Sequence, residues 1–337
     1  MVSASKCRRV VAVLCAESDG RPPHMEPVES RAEVRYTDAA GLADGVEGAE
    51  VLLLWDFFST AVKEVWSHAG DLRWIHVAAA GVDKLLFDEL ADSDVVVTNA
   101  RGVFDRPMAE FVLASILAQA KGLHLNHDQQ AARRWQHREK QTVAGQGALI
   151  VGTGAIGRET ARLLRAVGME VRGAGRSARS GDADFEEVTA SSELAQHVGW
   201  ADHVVVAAPL TEQTRGLLGK KIFTAMKPSA HVVNVGRGPI VDEQALVTAL
   251  KAKEISAASL DVFCDEPLPE SSPLWSAPGV IVSPHMSGDA VGWRDTLARQ
   301  FVDNALRWLD GDDLLNVIDK RLGFAVPPRT SRTEDGG

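Results

Sequence analysis

The sequence has no long apolar run and no paired cysteine motif. No stretch approaches the roughly 18 apolar residues of a membrane span. The apolar run Val10–Ala16 is short enough to be a buried first strand, so we do not interpret it as a secretion signal. Cys7, Cys15 and Cys264 lack CxxC spacing, which predicts reduced thiols and no metal site. We expect Cys264 to be a small packed residue and not a nucleophile.

Clustered basic residues are also missing. The formal net charge is -10, and binding of nucleic-acid phosphates requires grouped Lys and Arg side chains that we do not find. We therefore predict a soluble, cytoplasmic protein that has neither a nucleic-acid partner nor a membrane partner.

The length of 337 residues fits two domains, and the sequence pattern is that of α/β domains. Short β-branched runs alternate with helical patterns, which is typical of parallel sheets. In the first block we predict strands at Val10–Cys15, Ala32–Tyr36, Val51–Trp55, Trp74–Val77 and Val95–Asn99. A second block begins near Gly102 with a helix over Arg106–Leu123. Its predicted strands are Ala148–Gly152, Glu170–Ala174, His203–Ala207, His231–Val235, Ile255–Val262 and Val280–Ser283.

A glycine-rich segment follows the first strand of the second block. It reads Gly152-Thr153-Gly154-Ala155-Ile156-Gly157 and opens a helical run. GxGxxG between a strand and a helix is the fingerprint of a dinucleotide site, in which the glycines permit a tight turn, close approach of the pyrophosphate and close helix packing. Free N–H groups at the helix start bind the negative charge.

The end of the next strand predicts which dinucleotide is preferred. NAD sites place Asp or Glu about 20 residues after the turn, whereas this chain has Arg176, Ser177 and Arg179 there. Arg176 can pair with a 2′-phosphate and Ser177 can donate a further hydrogen bond, while Arg179 is either a third contact or a solvated surface charge. We predict NADP(H), with NAD(H) as the weaker alternative.

Three polar motifs stand at later strand ends, where open α/β sheets bind ligands. They are the segments Asn234–Gly238, Leu260–Pro267 and Ser283–Gly288. Three such motifs in this order after a dinucleotide turn are a specific signal.

Taken together, these segments resemble the D-isomer-specific 2-hydroxyacid dehydrogenase family. The resemblance extends from about Val51 to Leu322 and rests on VGTGAIG, APLTEQTRGLL, NVGRGPIVDEQAL, SLDVFCDEPLP and SPHMSGD. It implies an active site of Arg237, Glu266 and His285. The implied activity is hydride transfer between NADP(H) and a small 2-keto acid of the glyoxylate or hydroxypyruvate type, giving the D-2-hydroxy acid.

That chemistry requires these residue types. Histidine is the side chain that exchanges a proton most readily at physiological pH, so His285 can donate the proton that the developing alkoxide needs. Glu266 would favour the imidazolium and orient the ring. Arg237 would hold the substrate carboxylate and polarise its carbonyl.

The resemblance implies further contacts. In the substrate site it includes Trp55, Ala80 and Gly81, of which Trp55 is equally well explained by core packing. In the cofactor site it includes Pro209, Thr214, Val235, Asp261 and Ser287.

The family layout implies two Rossmann-like or flavodoxin-like, doubly wound parallel-sheet domains with a cleft between them. Residues 1–101 plus 290–325 would form a discontinuous substrate domain, residues 102–289 the dinucleotide domain, and residues 326–337 a disordered tail. The family also implies a homodimer. Two alternatives stay open: a reductase of bulkier branched or aromatic 2-keto acids, and a dinucleotide-sensing, corepressor-like binding protein.

Overall fold

A computed structural model describes residues 8–16 and 20–324 of the chain. Cys7 and the predicted tail at residues 326–337 lie outside the described residues. The chain divides into two compact units. One unit comprises Met1–Val103 and Gly292–Gly337, and the other comprises Phe104–Val291.

The first unit contains a sheet of five parallel strands among its described residues. The strands β1 to β5 span Val10–Leu14, Glu33–Thr37, Val51–Leu54, Trp74–Val77 and Val96–Asn99. Their order is β2-β1-β3-β4-β5, a doubly wound order in which the chain reverses direction across the sheet beside β1. Short helices α1 to α4 connect them at Glu26–Glu29, Leu42–Val46, Ala61–Glu64 and Asp88–Ala91.

The second unit is built on a larger sheet. Two helices precede it, α5 at Asp105–Lys121 and α6 at Leu123–Ala131. Its strands β6 to β13 span Gly147–Val151, Glu170–Gly175, Arg179–Ser180, Glu187–Ala190, His203–Val206, His231–Asn234, Ala257–Leu260 and Val280–Val282. Helices α7 to α10 span Ala155–Ala166, Leu194–His197, Lys220–Ala225 and Glu243–Ala252. The order is β13-β12-β11-β10-β6-β7-β9-β8, parallel throughout except for β8 at the edge.

Alternate residues of the second sheet pack into two different cores. Leu149 and Val151 of β6 face one apolar cluster, whereas Ala148 and Ile150 face the other. Helices cover both faces, which explains why these strands are continuous apolar runs in the sequence. One of these helices, α7, buries Gly157, Thr160, Ala161 and Leu164, a spacing that places all four on one helical face.

The last long helix, α11 at Trp293–Asp310, belongs to the first unit. Its Phe301 ring stacks on Trp74 of β4 with centroids 5.6 Å apart, and both side chains are fully buried. Arg31 also pairs with Asp310 at the end of the helix, with an N–O distance of 2.5 Å. The helix therefore covers one face of the five-stranded sheet. Short 3-10 turns occur at Trp66–His68, Ser191–Glu193, Val198–Trp200, Gly238–Ile240 and Pro273–Ser276.

The predicted fold class is confirmed, with differences at element ends. The helix predicted over Arg106–Leu123 ends at Lys121, because Gly122 adopts a left-handed conformation (φ +58°) that closes it. The strand predicted over Ile255–Val262 is shorter, at Ala257–Leu260. Strands β8 and β9 were not predicted. Among the described residues, no helix combines the length and the apolar character that a membrane crossing requires.

Candidate active site

The glycine-rich turn joins β6 to α7 and leaves room for a phosphate. Gly152 has φ +108°, and a Cβ built on it would lie 2.5 Å from backbone atoms of Ala207 and Ala208. A Cβ on Gly157 would lie 1.9 Å from the carbonyl oxygen of Gly152. By contrast, a Cβ on Gly154 would meet nothing within 4 Å. The turn is closed on the protein side and open at Gly154, which fits the approach of a pyrophosphate to the start of α7.

This turn lies at the point where the strand order of the sheet reverses. Strand β6 is flanked by β7 on one side and by β10 on the other, and ligands bind at the carboxyl ends of strands at such a point. The loop after β10 carries Pro209 and Thr214, and the Thr214 hydroxyl donates to the Pro209 carbonyl oxygen at 2.7 Å. The same hydroxyl oxygen accepts from the Thr211 N–H at 2.8 Å. The two predicted cofactor residues in this loop are thereby held in one turn.

The three predicted cofactor-selecting residues follow β7 and are all exposed. Arg176 and Ser177 lie in the turn directly after Gly175. Arg179 is the first residue of β8 and forms an ion pair with Asp182, with a distance of 2.9 Å between Nη2 and Oδ2. No carboxylate follows the strand directly at its carboxyl end. The first acid, Asp182, is already engaged by arginine side chains.

The predicted acid–base pair is joined by a direct hydrogen bond. His285 Nδ1 lies 2.7 Å from Glu266 Oε2, and the other oxygen of Glu266 accepts from the Phe263 N–H at 2.9 Å. Both side chains are partly open, with 32% of His285 and 26% of Glu266 exposed. Because a carboxylate oxygen accepts at Nδ1, this nitrogen carries a proton, and proton transfer to a substrate would use Nε2.

A buried carboxylate fixes the turn that carries His285. Asp261 Oδ1 accepts from the Ser283 hydroxyl at 2.5 Å and from the Met286 N–H at 3.0 Å, and its Oδ2 accepts from the Ser287 N–H at 3.0 Å. His285 lies between these contacts with φ +52°, a conformation that L-residues rarely adopt. Asp261 therefore accepts hydrogen bonds from residues before and after His285, a clamp that holds this strained turn in place.

Arg237 follows β11, the neighbour of the strand that precedes Glu266. The buried Asn234 side chain donates to the carbonyl oxygen of Arg237 at 3.1 Å and accepts from the Gly236 N–H at 3.1 Å. Arg237 Nη1 donates to the Gly236 carbonyl oxygen at 2.8 Å. The strands before Arg237, Glu266 and His285 are consecutive in the sheet, so all three residues stand at neighbouring strand ends.

The remaining predicted cofactor residues, Val235 and Ser287, are buried beside these turns. The predicted substrate residues Trp55, Ala80 and Gly81 belong to the first unit. Trp55 is only 3% exposed, as core packing requires. Ala80 and Gly81 follow β4, and neither backbone N–H donates a hydrogen bond to any part of the chain that the structure describes. Their loop is held by Asn99 at the end of β5, whose side chain donates to the Ala80 carbonyl oxygen at 2.5 Å.

Three supporting residues, Asn99, Asn234 and Ser283, were given no role in the sequence-based predictions, although Asn234 and Ser283 begin two of the polar motifs. A signal was present, since each polar side chain terminates or follows an otherwise apolar strand. The prediction that Cys264 is packed was wrong, because the residue is exposed. Partial desolvation and the carboxylate of Glu243 raise the pKa of its thiol to about 11, so it stays protonated. Among the residues that the structure covers, no group of three or more His, Cys, Asp or Glu could hold a metal ion.

Known proteins share both the sequence pattern and the fold. The sequence model of the D-isomer specific 2-hydroxyacid dehydrogenase NAD-binding domain matches residues 113–287. The chain is 32% identical over 249 residues to (S)-sulfolactate dehydrogenase of Chromohalobacter salexigens, covering 73% of this chain and 81% of that protein. It is 31% identical over 264 residues to glyoxylate/hydroxypyruvate reductase B of Enterobacter agglomerans, covering 74% and 79%. The D-isomer specific 2-hydroxyacid dehydrogenase from Xanthobacter autotrophicus Py2, solved in complex with NADPH and MES, is 31% identical with a TM-score of 0.78, over 93% of this chain and 99% of that one.

Proposed function

Because this chain belongs to the D-isomer specific 2-hydroxyacid dehydrogenase family, we propose that it reduces a small 2-keto acid of the glyoxylate or hydroxypyruvate type to the D-2-hydroxy acid, with NADP(H) preferred over NAD(H). Members of the family are oxidoreductases that act on small 2-keto and 2-hydroxy acids. The observation that carries the proposal is the 2.7 Å hydrogen bond between His285 and Glu266, in the same unit as the glycine-rich turn.

In the proposed reaction, His285 donates a proton from Nε2 to the carbonyl oxygen of the substrate as that oxygen becomes an alkoxide. Glu266 keeps the proton on Nδ1, fixes the ring and stabilises the positive charge of the imidazolium before transfer. Arg237 binds the substrate carboxylate and polarises the carbonyl. A nicotinamide cofactor bound at the glycine-rich turn would supply the hydride for the carbonyl carbon.

The first unit carries backbone groups that would bind the substrate. The backbone N–H groups of Ala80 and Gly81 have no acceptor among the described residues, and a carboxylate is the acceptor that such paired donors favour. We therefore assign the first unit to substrate binding and the second to the dinucleotide. The glycine-rich turn fits this assignment, because a Cβ on Gly154, unlike one on Gly152 or Gly157, would meet nothing within 4 Å.

The proposed cofactor preference rests on the residues after β7. Arg176, Ser177 and Arg179 supply positive charge and hydrogen-bond donors where an NAD site would present a carboxylate to the ribose hydroxyls. The structure of the Xanthobacter relative in complex with NADPH supports this choice. The glyoxylate and hydroxypyruvate substrates are proposed from the reductase of Enterobacter agglomerans.

A reductase of bulkier branched or aromatic 2-keto acids is a second candidate. It is favoured by an aromatic cluster in the first unit, in which the Phe57 ring lies 4.7 Å from Phe58 and 6.2 Å from Trp293. Phe57 and Phe58 come shortly after β3, at the reversal point of that sheet. An aromatic wall near a substrate would favour an apolar side chain on it.

The deciding experiment follows the loss of reduced-nicotinamide absorbance with NADPH and NADH in parallel. The panel is glyoxylate, hydroxypyruvate, 3-sulfopyruvate, 2-ketoisocaproate and phenylpyruvate. We expect the fastest turnover with NADPH and one of the small acids, and its loss in His285→Ala. Fastest turnover with phenylpyruvate would favour the second candidate. Tight NADPH binding without turnover on any acid would overturn the enzyme assignment in favour of a dinucleotide-sensing protein.

We also propose a cytoplasmic homodimer, as the family resemblance implies. Light scattering on the purified protein should then give twice the chain mass of 36.2 kDa. A mass of one chain would contradict the dimer.

A further inference from the structure

We propose that Asp182 is a positioning residue that sets the preference for the phosphorylated cofactor by holding Arg179 against the site of the 2′-phosphate. This inference rests on the proposed NADP(H) preference. It assigns a role to an acidic residue that the sequence-based predictions did not include, in the segment that follows the strand end where an acid ordinarily disfavours NADP(H).

Arg179 reaches the carboxyl end of β7 from β8, which β9 separates from β7 in the sheet. It begins β8, which runs antiparallel to β9 at the edge of the sheet. A Cβ built on Gly175, the last residue of β7, would lie 3.6 Å from Nη1 of Arg179 and 3.2 Å from Oγ1 of Thr153. Thr153 belongs to the glycine-rich turn. The Arg179 guanidinium and the Thr153 hydroxyl therefore converge on the strand end where the adenosine ribose of a dinucleotide binds.

Asp182 holds this guanidinium by one edge. Nε and Nη2 of Arg179 both donate to Oδ2 of Asp182, at 3.0 Å and 2.9 Å. Nη1 makes no hydrogen bond with the described residues, and it is the nitrogen that faces Gly175. The Arg179 guanidinium is thus held at the edge that faces away from the expected ribose position. Its Nη1 donors face that position. A guanidinium already held in this way loses less rotamer freedom when a phosphate binds.

Asp182 is itself tied to the start of the dinucleotide-binding helix. Its side chain is 4% exposed, and both of its oxygens accept from Arg158, the residue after the last glycine of the turn, at 2.8 Å each. The Asp184 N–H also donates to Oδ1 at 3.0 Å. The fork of Arg158 holds the pKa of the Asp182 carboxyl far below its ordinary value, so the carboxylate is charged at neutral pH. Arg179 is thereby positioned relative to the turn that would bind the pyrophosphate.

Asp182 could have either of two opposite effects on the binding of a 2′-phosphate, and an experiment distinguishes them. If Asp182 mainly neutralised Arg179 and repelled a phosphate, removing its charge would tighten binding of a 2′-phosphate. If it mainly positions Arg179, removing its charge would weaken that binding and leave unphosphorylated nucleotides unaffected.

The test is calorimetric titration of the full chain with adenosine 2′,5′-bisphosphate and with 5′-AMP, which differ only in the 2′-phosphate. We expect the wild type to prefer the bisphosphate, and Asp182→Asn to reduce the ratio of the two affinities about tenfold by weakening the bisphosphate alone. Asp184→Asn is the matched control. Asp184 pairs with Arg158 and Arg162 but not with Arg179, so the control loses comparable ion pairs and should keep the ratio.

The other outcomes separate the two proposals. A wild type that binds both nucleotides equally overturns the NADP(H) preference and this inference with it. If the wild type prefers the bisphosphate but Asp182→Asn has an unchanged or increased ratio of the two affinities, the positioning role alone is overturned. If thermal unfolding shows that Asp182→Asn does not fold, Arg179→Met at the exposed edge strand replaces it. An unchanged ratio in that variant refutes the inference, and a reduced ratio, with Arg176→Met less affected, supports it.

Discussion

Replacing Asp261 with asparagine should impair His285 without altering any atom of the histidine. Asp261 is fully buried and receives three hydrogen bonds from the turn on either side of His285. An amide has one acceptor oxygen, and its NH2 group would face an N–H or O–H donor. At least one buried backbone N–H would therefore lose its acceptor.

The size of the effect follows from these contacts. Hydrogen bonds to a charged group contribute about 1.5–3 kcal/mol each, so the loss of one should lower the free energy of unfolding by about 2 kcal/mol. The left-handed conformation of His285 costs about 1–2 kcal/mol, and the clamp opposes the relaxation of that strain. A loosened clamp should let the ring leave its position beside Glu266. We expect kcat to fall between about tenfold and a hundredfold.

Steady-state kinetics and thermal unfolding test this prediction together. KM for the keto acid should change little, because the proposed carboxylate contact at Arg237 is on another strand end. Ser283→Ala is the matched control, since it removes one donor to Asp261 and leaves both backbone contacts in place. The control should lose less than about fivefold in kcat. An Asp261→Asn variant with wild-type kcat would refute the view that the clamp positions His285.

Glu266→Gln should lower kcat by about a hundredfold or more with KM nearly unchanged, because it removes the carboxylate that accepts the Nδ1 proton of His285; equal losses in kcat and affinity would contradict this role. Gly157→Ala should lower the unfolding free energy by about 1–3 kcal/mol and weaken NADPH binding in a fluorescence titration, because its methyl group would lie 1.9 Å from a backbone oxygen. Burial lowers the pKa of His203 to about 4 and of His231 to about 3, so the unfolded chain binds more protons than the folded one below about pH 6.5. In urea unfolding, the pair should not affect the free energy of unfolding above pH 7, and each histidine should lower it by about 2 kcal/mol at pH 5. If the variant with both His203→Gln and His231→Gln shows the same dependence of unfolding free energy on pH, the assignment is refuted.

Most strands of the two sheets were predictable from the sequence because they are apolar on both faces. Short β-branched runs such as Val204–Val206 favour buried strands, and the strand ends were placed to within one or two residues. Strands β8 and β9 were missed for the opposite reason. Arg179–Ser180 has two exposed residues, and in Glu187–Ala190 only Val188 and Thr189 are buried, so neither segment has a readable apolar pattern.

The site residues that follow strands could be predicted from the sequence. The hydrogen bonds within the turns could not. His285 and Glu266 follow adjacent parallel strands, so topology alone predicts that they lie close together. The roles of Asp261 and Asp182 depend on which N–H groups and guanidinium edges a turn directs at them. That information lies in backbone angles such as the positive φ of His285, which the residue type does not reveal.

The packing of α11 on the first sheet has a consequence for the order of folding during translation. Trp74 leaves the ribosome early, but its stacking partner Phe301 emerges only after the whole second unit has been synthesised. Until then, one face of the five-stranded sheet exposes indole and imidazole side chains to solvent, at risk of non-native association. In the folded second unit, Phe104 near its start and Gly288 near its end lie close together, so folding of this unit shortens the effective loop between Trp74 and Phe301 and lowers the entropic cost of docking the helix. Folding of the second unit would thus favour the docking of α11, which completes the first unit.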